Sequence, residues 1–157
     1  MHKTYRKTAA LTHLSCESSA VLGGHSGAVR DALGAYGRHL GLAYQLVDDM
    51  LDVTSSSSTL GKPAGADMAE GHATAPALFA LETFPEEMEQ LIKRKFKSEG
   101  DVPRALELVL EADGPRRTHE LATNHARQAA DALGVLAPSA ARDALLRLLC
   151  DVLNRKA

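Results

Sequence analysis

The sequence predicts an all-α fold, a helical bundle, on three observations. Apolar residues recur three and four positions apart over long stretches. Gly, Pro and Ser signals punctuate the chain at helix-length intervals. No stretch of useful length alternates apolar with polar residues as a half-buried strand would. Positions 2 to 22 read as a first amphipathic helix, ended by Gly23-Gly24. Ser26 is placed to cap a long helix from about Gly27 to Val53, in which Gly34, Gly37 and Gly41 are spaced to let a neighbour approach closely. The tract Ser55 to Ser58 reads as polar loop. A short helix near 74 to 83 follows, then one opening at Pro85, one from about Val102 to Glu111 behind Asp101 as a cap, one from about Arg117 to Leu133, and a last one after Pro138-Ser139. There is no internal repeat.

Composition sets the outer bounds. The 157 residues suffice for one domain with a real core, and 45% hydrophobic with 24% charged residues is a globular balance. A formal net charge of −2 argues against nucleic acid as a partner. No apolar run approaches the ~20 residues that span a bilayer, and no signal-peptide pattern opens the chain. Cys16 and Cys150 are too far apart to suggest a disulfide framework or a metal site.

The most informative residues lie in the long helix. Gln45, Asp48, Asp49 and Asp52 fall at i, i+3, i+4 and i+7 within GLAYQLVDDMLDV, so all four share one helical face. Leu42, Ala43, Leu46, Val47, Met50 and Leu51 cover the rest. Acidic residues on a helix usually face water, but a solvated face does not need aliphatic residues on both sides of it. The stripe is therefore expected to line a cavity. Like charges at i, i+4, as at Asp48 and Asp52, destabilise a helix by about 0.2–0.5 kcal/mol, and burying either one unpaired would cost far more. Something cationic is expected there, and carboxylates without His or Cys suit a hard ion such as Mg²⁺ shared with a substrate phosphate.

Downstream, TSSSSTLGKPAGADMAEGHATAP carries Lys62 and Asp67 in a Gly- and Pro-rich segment. Gly41, Tyr44, Gln45, Asp48, Asp49, Leu51, Asp52, Gly61, Lys62, Asp67, Gly71, Thr74 and Pro76 together resemble the second aspartate-rich region of the all-trans polyprenyl diphosphate synthases. Near the start, YRKTAAL resembles the Lys-Thr motif that precedes that region in the family. The text from FPEEMEQLIKRKF through GDVPRALELVLEADG looks most like the solanesyl- and decaprenyl-type members.

The resemblance implies a chemistry and an assignment of roles. An allylic prenyl diphosphate ionises, isopentenyl diphosphate attacks the cation, and a proton is lost, with Mg²⁺ as the cofactor. Asp48 and Asp52 would be the metal contacts and Asp49 their support. Lys7 and Lys62 would contact diphosphate, Thr8 would sit where the first helix bends, and Gln45 would lie near the reacting allylic end. For Asp67, holding the Lys62 segment is as good a reading as a functional one. The synthases of this type also suggest an organelle, mitochondrion or plastid.

Two departures qualify the resemblance. Where many members carry a second lysine this chain has His72, which is mostly uncharged at neutral pH, so no binding role is assigned to it. The remaining histidines read as structural or surface residues. The family's first aspartate-rich motif and its Arg pair are not found, so the chain is expected to be the C-terminal part, 1–157, of an isoprenoid synthase fold lacking its N-terminal helices. Alone it is expected not to catalyse condensation. It would serve as a part of a synthase or, alternatively, as a non-catalytic subunit that pairs with and modulates a complete one, in a homo- or hetero-oligomer. Removing half of a bundle is also expected to bare apolar faces, around Leu42, Leu46 and Leu51 in particular.

Overall fold

All regular structure among the described residues is helical. The computed structural model describes residues 2–54 and 64–155. A helical turn at His2–Thr4 and a π-helical turn at Tyr5–Ala9 lead into α1 (Ala10–Leu22). Then come α2 (Gly27–Thr54), α3 (Ala66–Ala69), α4 (Ala75–Thr83), α5 (Pro85–Lys93), α6 (Asp101–Glu111) and α7 (Gly114–Ala132). A 3₁₀ turn at Leu133–Val135 precedes α8 (Ala140–Leu153). The tract Ser55 to Ser58, Gly61 and Lys62 lie outside the described residues.

Two compact units share these helices: Met1–Val47 with Leu121–Arg155, and Asp48–Glu120. In the first, Tyr36, Leu40, Ala43, Ala126, Ala129, Leu133 and Leu149 form the core. Tyr36 is 1% exposed, and its hydroxyl donates to the Leu145 carbonyl at 3.0 Å. Burial, with Cys16 adding to it, pushes the Tyr36 pKa up to about 12. The glycines of α2 set how closely α1 lies. A Cβ on Gly37 would come within 2.4 Å of the Thr12 carbonyl oxygen, and one on Gly41 within 2.3 Å of Thr12 Oγ1 and 2.6 Å of Ala9 Cα. These are main-chain approaches that any side chain would forbid.

The second unit packs Met68, Ala77, Ala80, Met88, Leu91, Leu108 and Val109 into its own core. Pro stands in the first turn of both α4 and α5, where its missing N–H has no helical partner to lose. Asp101 opens α6 but does not cap it. Its carboxylate instead accepts both Arg94 Nε and a second guanidinium N–H at 2.8 Å each, and the Ser98 N–H at 3.1 Å. The residue before α6 is Gly100 in the left-handed region, which turns the chain without a side-chain cap. Helix α7 begins at Gly114, ahead of the expected Arg117, because Asp113 at φ 55° makes the turn and the Asp113 carbonyl already accepts the Arg117 N–H. Ser139 does cap α8, accepting the Arg142 N–H at 3.2 Å.

One expectation of exposure is corrected. Leu42 and Leu46 are buried, at 3% and 1% exposure, and Leu51 is half-buried. Exposed aliphatic side chains include instead Leu11, Leu14, Val21 and Leu22 of α1, with Leu78 of α4, Leu110 of α6 and Leu148 of α8 among others.

Candidate active site

The π-helical turn Tyr5–Ala9 contains both Lys7 and Thr8. Its mark is the Ala10 N–H donating to the Tyr5 carbonyl, five residues back, which widens the helix by one residue just where Ala9 meets Gly41. The extra residue gives neighbouring side chains different outlooks. Lys7 is exposed, while Thr8 is half-buried and donates its hydroxyl to Gln45 Oε1 at 2.6 Å. That bond fixes the amide of Gln45, which is 6% exposed. Ahead of it, the Tyr5 hydroxyl and His13 Nδ1 are 2.6 Å apart, and the Arg38 guanidinium lies over the Tyr5 ring at 5.1 Å.

The acidic stripe of α2 does not sit uniformly in an enclosed space. Asp49 is buried at 6% exposure, Asp52 is half-buried, and Asp48 is exposed. The stripe thus runs along the margin between the packed and open faces of the helix. The chain returns to α2 at Gly65, whose N–H donates to the Asp52 carbonyl at 2.9 Å, and the Asp67 N–H lies 3.3 Å from Asp52 Oδ2. Burial pushes the Asp52 carboxyl above the usual carboxylate range. The backbone N–H groups of Asp67 and Ala66 pull it back, while the charges of Asp67 and Asp48 push it further up. The charges of Asp48 and Asp67 thus both bear on the Asp52 carboxyl.

A second acidic group was not anticipated. Gly71, at φ 90°, ends α3 in a left-handed turn in which the Gly71 N–H donates to Met68 O and the His72 N–H to Asp67 O, both at 2.8 Å. This six-to-one closure folds His72 back over the helix end. Ligand atoms of Asp67, Glu70 and His72 lie within 4.8 Å of one another, a group able to hold a metal ion. The signal was present in the sequence as a glycine directly behind a short helical stretch, but the role of Gly71 as a helix terminator was not drawn from it. Elsewhere in the first unit, His39 and His125 meet Nδ1 to Nδ1 at 2.9 Å with their rings stacked. Burial holds both pKa values below the ordinary histidine range.

Comparison with known proteins gives this geometry its setting. Residues 1–109 match the family model described as polyprenyl synthetase. A probable mitochondrial hexaprenyl pyrophosphate synthase of Neurospora crassa is 50% identical over 99% of this chain and 34% of its own length. A prenyl transferase of Synechocystis is also 50% identical, over 99% of the chain and 48% of its own. Among solved structures, the apo form of an Arabidopsis medium/long-chain length prenyl pyrophosphate synthase superposes with a TM-score of 0.87 at 42% identity, covering 98% of this chain and 53% of that one. A polyprenyl synthase from Caulobacter crescentus, complexed with calcium and isoprenyl diphosphate, gives 0.85 at 39% identity, covering 98% and 48%. The chain spans about a third to a half of the length of these relatives. Its second aspartate-rich helix and the turn that carries the Lys-Thr pair both lie inside the matched segment, and the chain belongs to the polyprenyl synthetase family.

Proposed function

We propose that this chain is the part of a long-chain polyprenyl diphosphate synthase that carries the second aspartate-rich helix, within one polyprenyl synthetase domain spanning 1–157. The activity is transfer of an allylic prenyl group to isopentenyl diphosphate. The observation that supports the proposal is the approach of the Asp67 segment to Asp52, whose carboxylate lies 3.3 Å from the Asp67 N–H and whose pKa the charges of Asp67 and Asp48 push up, an effect that a cation would offset. An oxygen-only donor set of this kind fits Mg²⁺, with Asp48 and Asp52 as its ligands and Asp49 behind them. When bound, Mg²⁺ supplies charge stabilisation to the departing diphosphate.

The chain's own residues account for the rest. As the allylic carbon–oxygen bond breaks, the electron pair stays on the diphosphate oxygen and negative charge gathers there. The ammonium groups of Lys7 and Lys62 answer that charge. Thr8 orients the Gln45 amide through the 2.6 Å bond, and a fixed amide dipole beside the allylic end holds the developing cation in line with the attacking double bond. The proton is then lost from the former isopentenyl unit. The Neurospora relative and a rice solanesyl-diphosphate synthase are mitochondrial by name, which supports an organellar setting.

Thermal unfolding with Mg²⁺ and inorganic pyrophosphate tests the proposal, since a ligand that binds only the folded state raises the midpoint. A shift at millimolar ligand is expected, and it should vanish in the Asp48→Ala, Asp52→Ala double variant. No shift, or an equal shift in the variant, would remove the assignment. The isolated chain should not incorporate labelled isopentenyl diphosphate. Incorporation abolished by Asp48→Asn would show that the half of the relatives' length outside this match is dispensable.

A further inference from the structure

Helix α3 has only four residues, too few to be stable by itself, so its position is set by what packs on it. Met68, fully buried, anchors it in the core of the second unit. Both of its ends are met by α6 and by the turn that joins α5 to α6. In front, a Cβ on Gly65 would stand 3.2 Å from Val102 Cγ1 and 3.3 Å from Leu106 Cδ1. Behind, a Cβ on Gly71 would stand 3.3 Å from Lys95 Cβ. Between these two glycines, Lys97 Nζ donates to the Ala69 carbonyl at 2.7 Å. Ala69 is the last residue of α3, and the carbonyls of a helix end lack intrahelical partners that a lysine can supply.

The turn that carries Lys97 is held firmly. Helix α5 ends with the Lys95 N–H donating to the Ile92 carbonyl at 2.9 Å and the Phe96 N–H to the Leu91 carbonyl at 3.0 Å. Such a closure usually takes glycine, yet here Lys95 and Phe96 stand in succession at φ 58° and 55°. Backbone of that kind persists only where its surroundings over-determine it. Phe96 is buried in the core, and the Asp101 carboxylate clasps the turn through the Arg94 guanidinium and the Ser98 N–H. The Lys97 side chain therefore starts from a fixed main chain.

What α3 presents to α2 is the Asp67 segment, through the Gly65 N–H on the Asp52 carbonyl and the Asp67 N–H on Asp52 Oδ2. We infer that Lys97 is a positioning residue for the acidic site. By holding the end of α3 through the Ala69 carbonyl, its ammonium keeps the Asp67 main chain against Asp52, and so sets the spacing at which these carboxylates take a divalent cation with diphosphate. The inference rests on the functional reading above and adds to it a residue outside the aspartate-rich motif.

Isothermal titration of magnesium pyrophosphate into the full 157-residue chain tests this. Lys97→Met keeps the aliphatic stem and removes the donor, and the dissociation constant should rise about fivefold. Lys97→Arg, which restores a donor, should recover most of that loss. Lys93→Met removes the same charge from the end of α5, where Lys93 pairs with Glu89, and should bind as the wild type does. In an Asp67→Ala background Lys97→Met should cost nothing further. Amide hydrogen exchange at Ala69 to His72 should quicken in Lys97→Met, whether or not ligand is present. Wild-type affinity or unchanged exchange in Lys97→Met, an equal loss in Lys93→Met, or an undiminished loss in the Asp67→Ala background would overturn the positioning role alone. A wild-type chain that binds no magnesium pyrophosphate would overturn the functional reading and the role with it.

Discussion

Replacing Gly41 with Ala sets two known effects against each other. An alanine inside a helix is favoured over glycine by about 0.8–1 kcal/mol. At Gly41 the new Cβ would stand 2.3 Å from Thr12 Oγ1, 2.6 Å from Ala9 Cα and 2.9 Å from Ala9 Cβ. The hydroxyl can rotate away, but the Ala9 main chain cannot move without pushing α1 off α2. Overpacking of that sort typically costs about 1–3 kcal/mol. Because the Ala9 main chain resists displacement, the cost belongs at the upper end, about 3 kcal/mol, and the net expectation is a loss of about 2 kcal/mol, or a midpoint about 4–8 °C lower for a chain of this size. Gly27 is the control, because nothing lies within 4 Å of a Cβ there, and Gly27→Ala should be neutral or slightly stabilising. Urea titration followed by circular dichroism measures both. A Gly41→Ala chain as stable as the wild type would mean that α1 and α2 are not in main-chain contact, and the Thr8 to Gln45 bond that depends on this spacing would lose its basis.

Further expectations follow from other parts of the molecule. His39 and His125 have depressed pKa values, so between those values and the unfolded value near ~6.5 the unfolded chain binds more protons, and stability should fall as pH drops below about 6.5. Midpoints at pH 7.5 and 5.5 should draw closer together in His125→Gln, and an unchanged gap would exonerate the pair. Thr8→Val removes the donor to a buried amide oxygen and should destabilise the chain by about 1 kcal/mol, read by the same titration. Met88→Ala empties a fully buried site in the core of the second unit and should cost about 2–5 kcal/mol; a value below 1 would show that this core collapses to fill the gap.

Much of this was legible in the residues. The helices followed from 3.6-residue spacing and from Pro and Gly punctuation, and the glycine spacing in α2 announced a close neighbour before the neighbour was known. The acidic stripe and the Gly-, Lys- and Asp-bearing segment behind it pointed to the family, whereas the Lys-Thr pair alone reads as a surface Lys beside an ordinary Thr. What escaped were features set by backbone geometry rather than by residue type. The π turn at Tyr5–Ala9 leaves no periodic mark, because one extra residue in a helix looks like noise over so short a span. Asp101 was placed as a cap on its position before an apolar run, but a buried carboxylate was claimed instead by Arg94, whose two-pronged bond outweighs one backbone N–H. The exposed leucines were expected on α2, where apolar residues are densest. Density does not say which face is covered, and the exposed leucines proved to lie on α1, α4, α6 and α8 instead.

The places where local rules are broken share a short list of residues. A π turn interrupts a helix at Lys7 and Thr8, two glycines weaken the interior of α2 beside it, and like charges stand one turn apart at Asp48 and Asp52 with Asp67 added from the next segment. The glycines are kept by the close approach of α1, but the like charges are unfavourable for the fold by itself, and one neutral residue among Asp48, Asp52 and Asp67 would relieve the repulsion. The two cores, by contrast, follow the rules throughout, with aliphatic side chains buried at helical spacing. Strain of this kind persists where the surrounding structure over-determines it, and under the proposed function a cation relieves the repulsion among the aspartates.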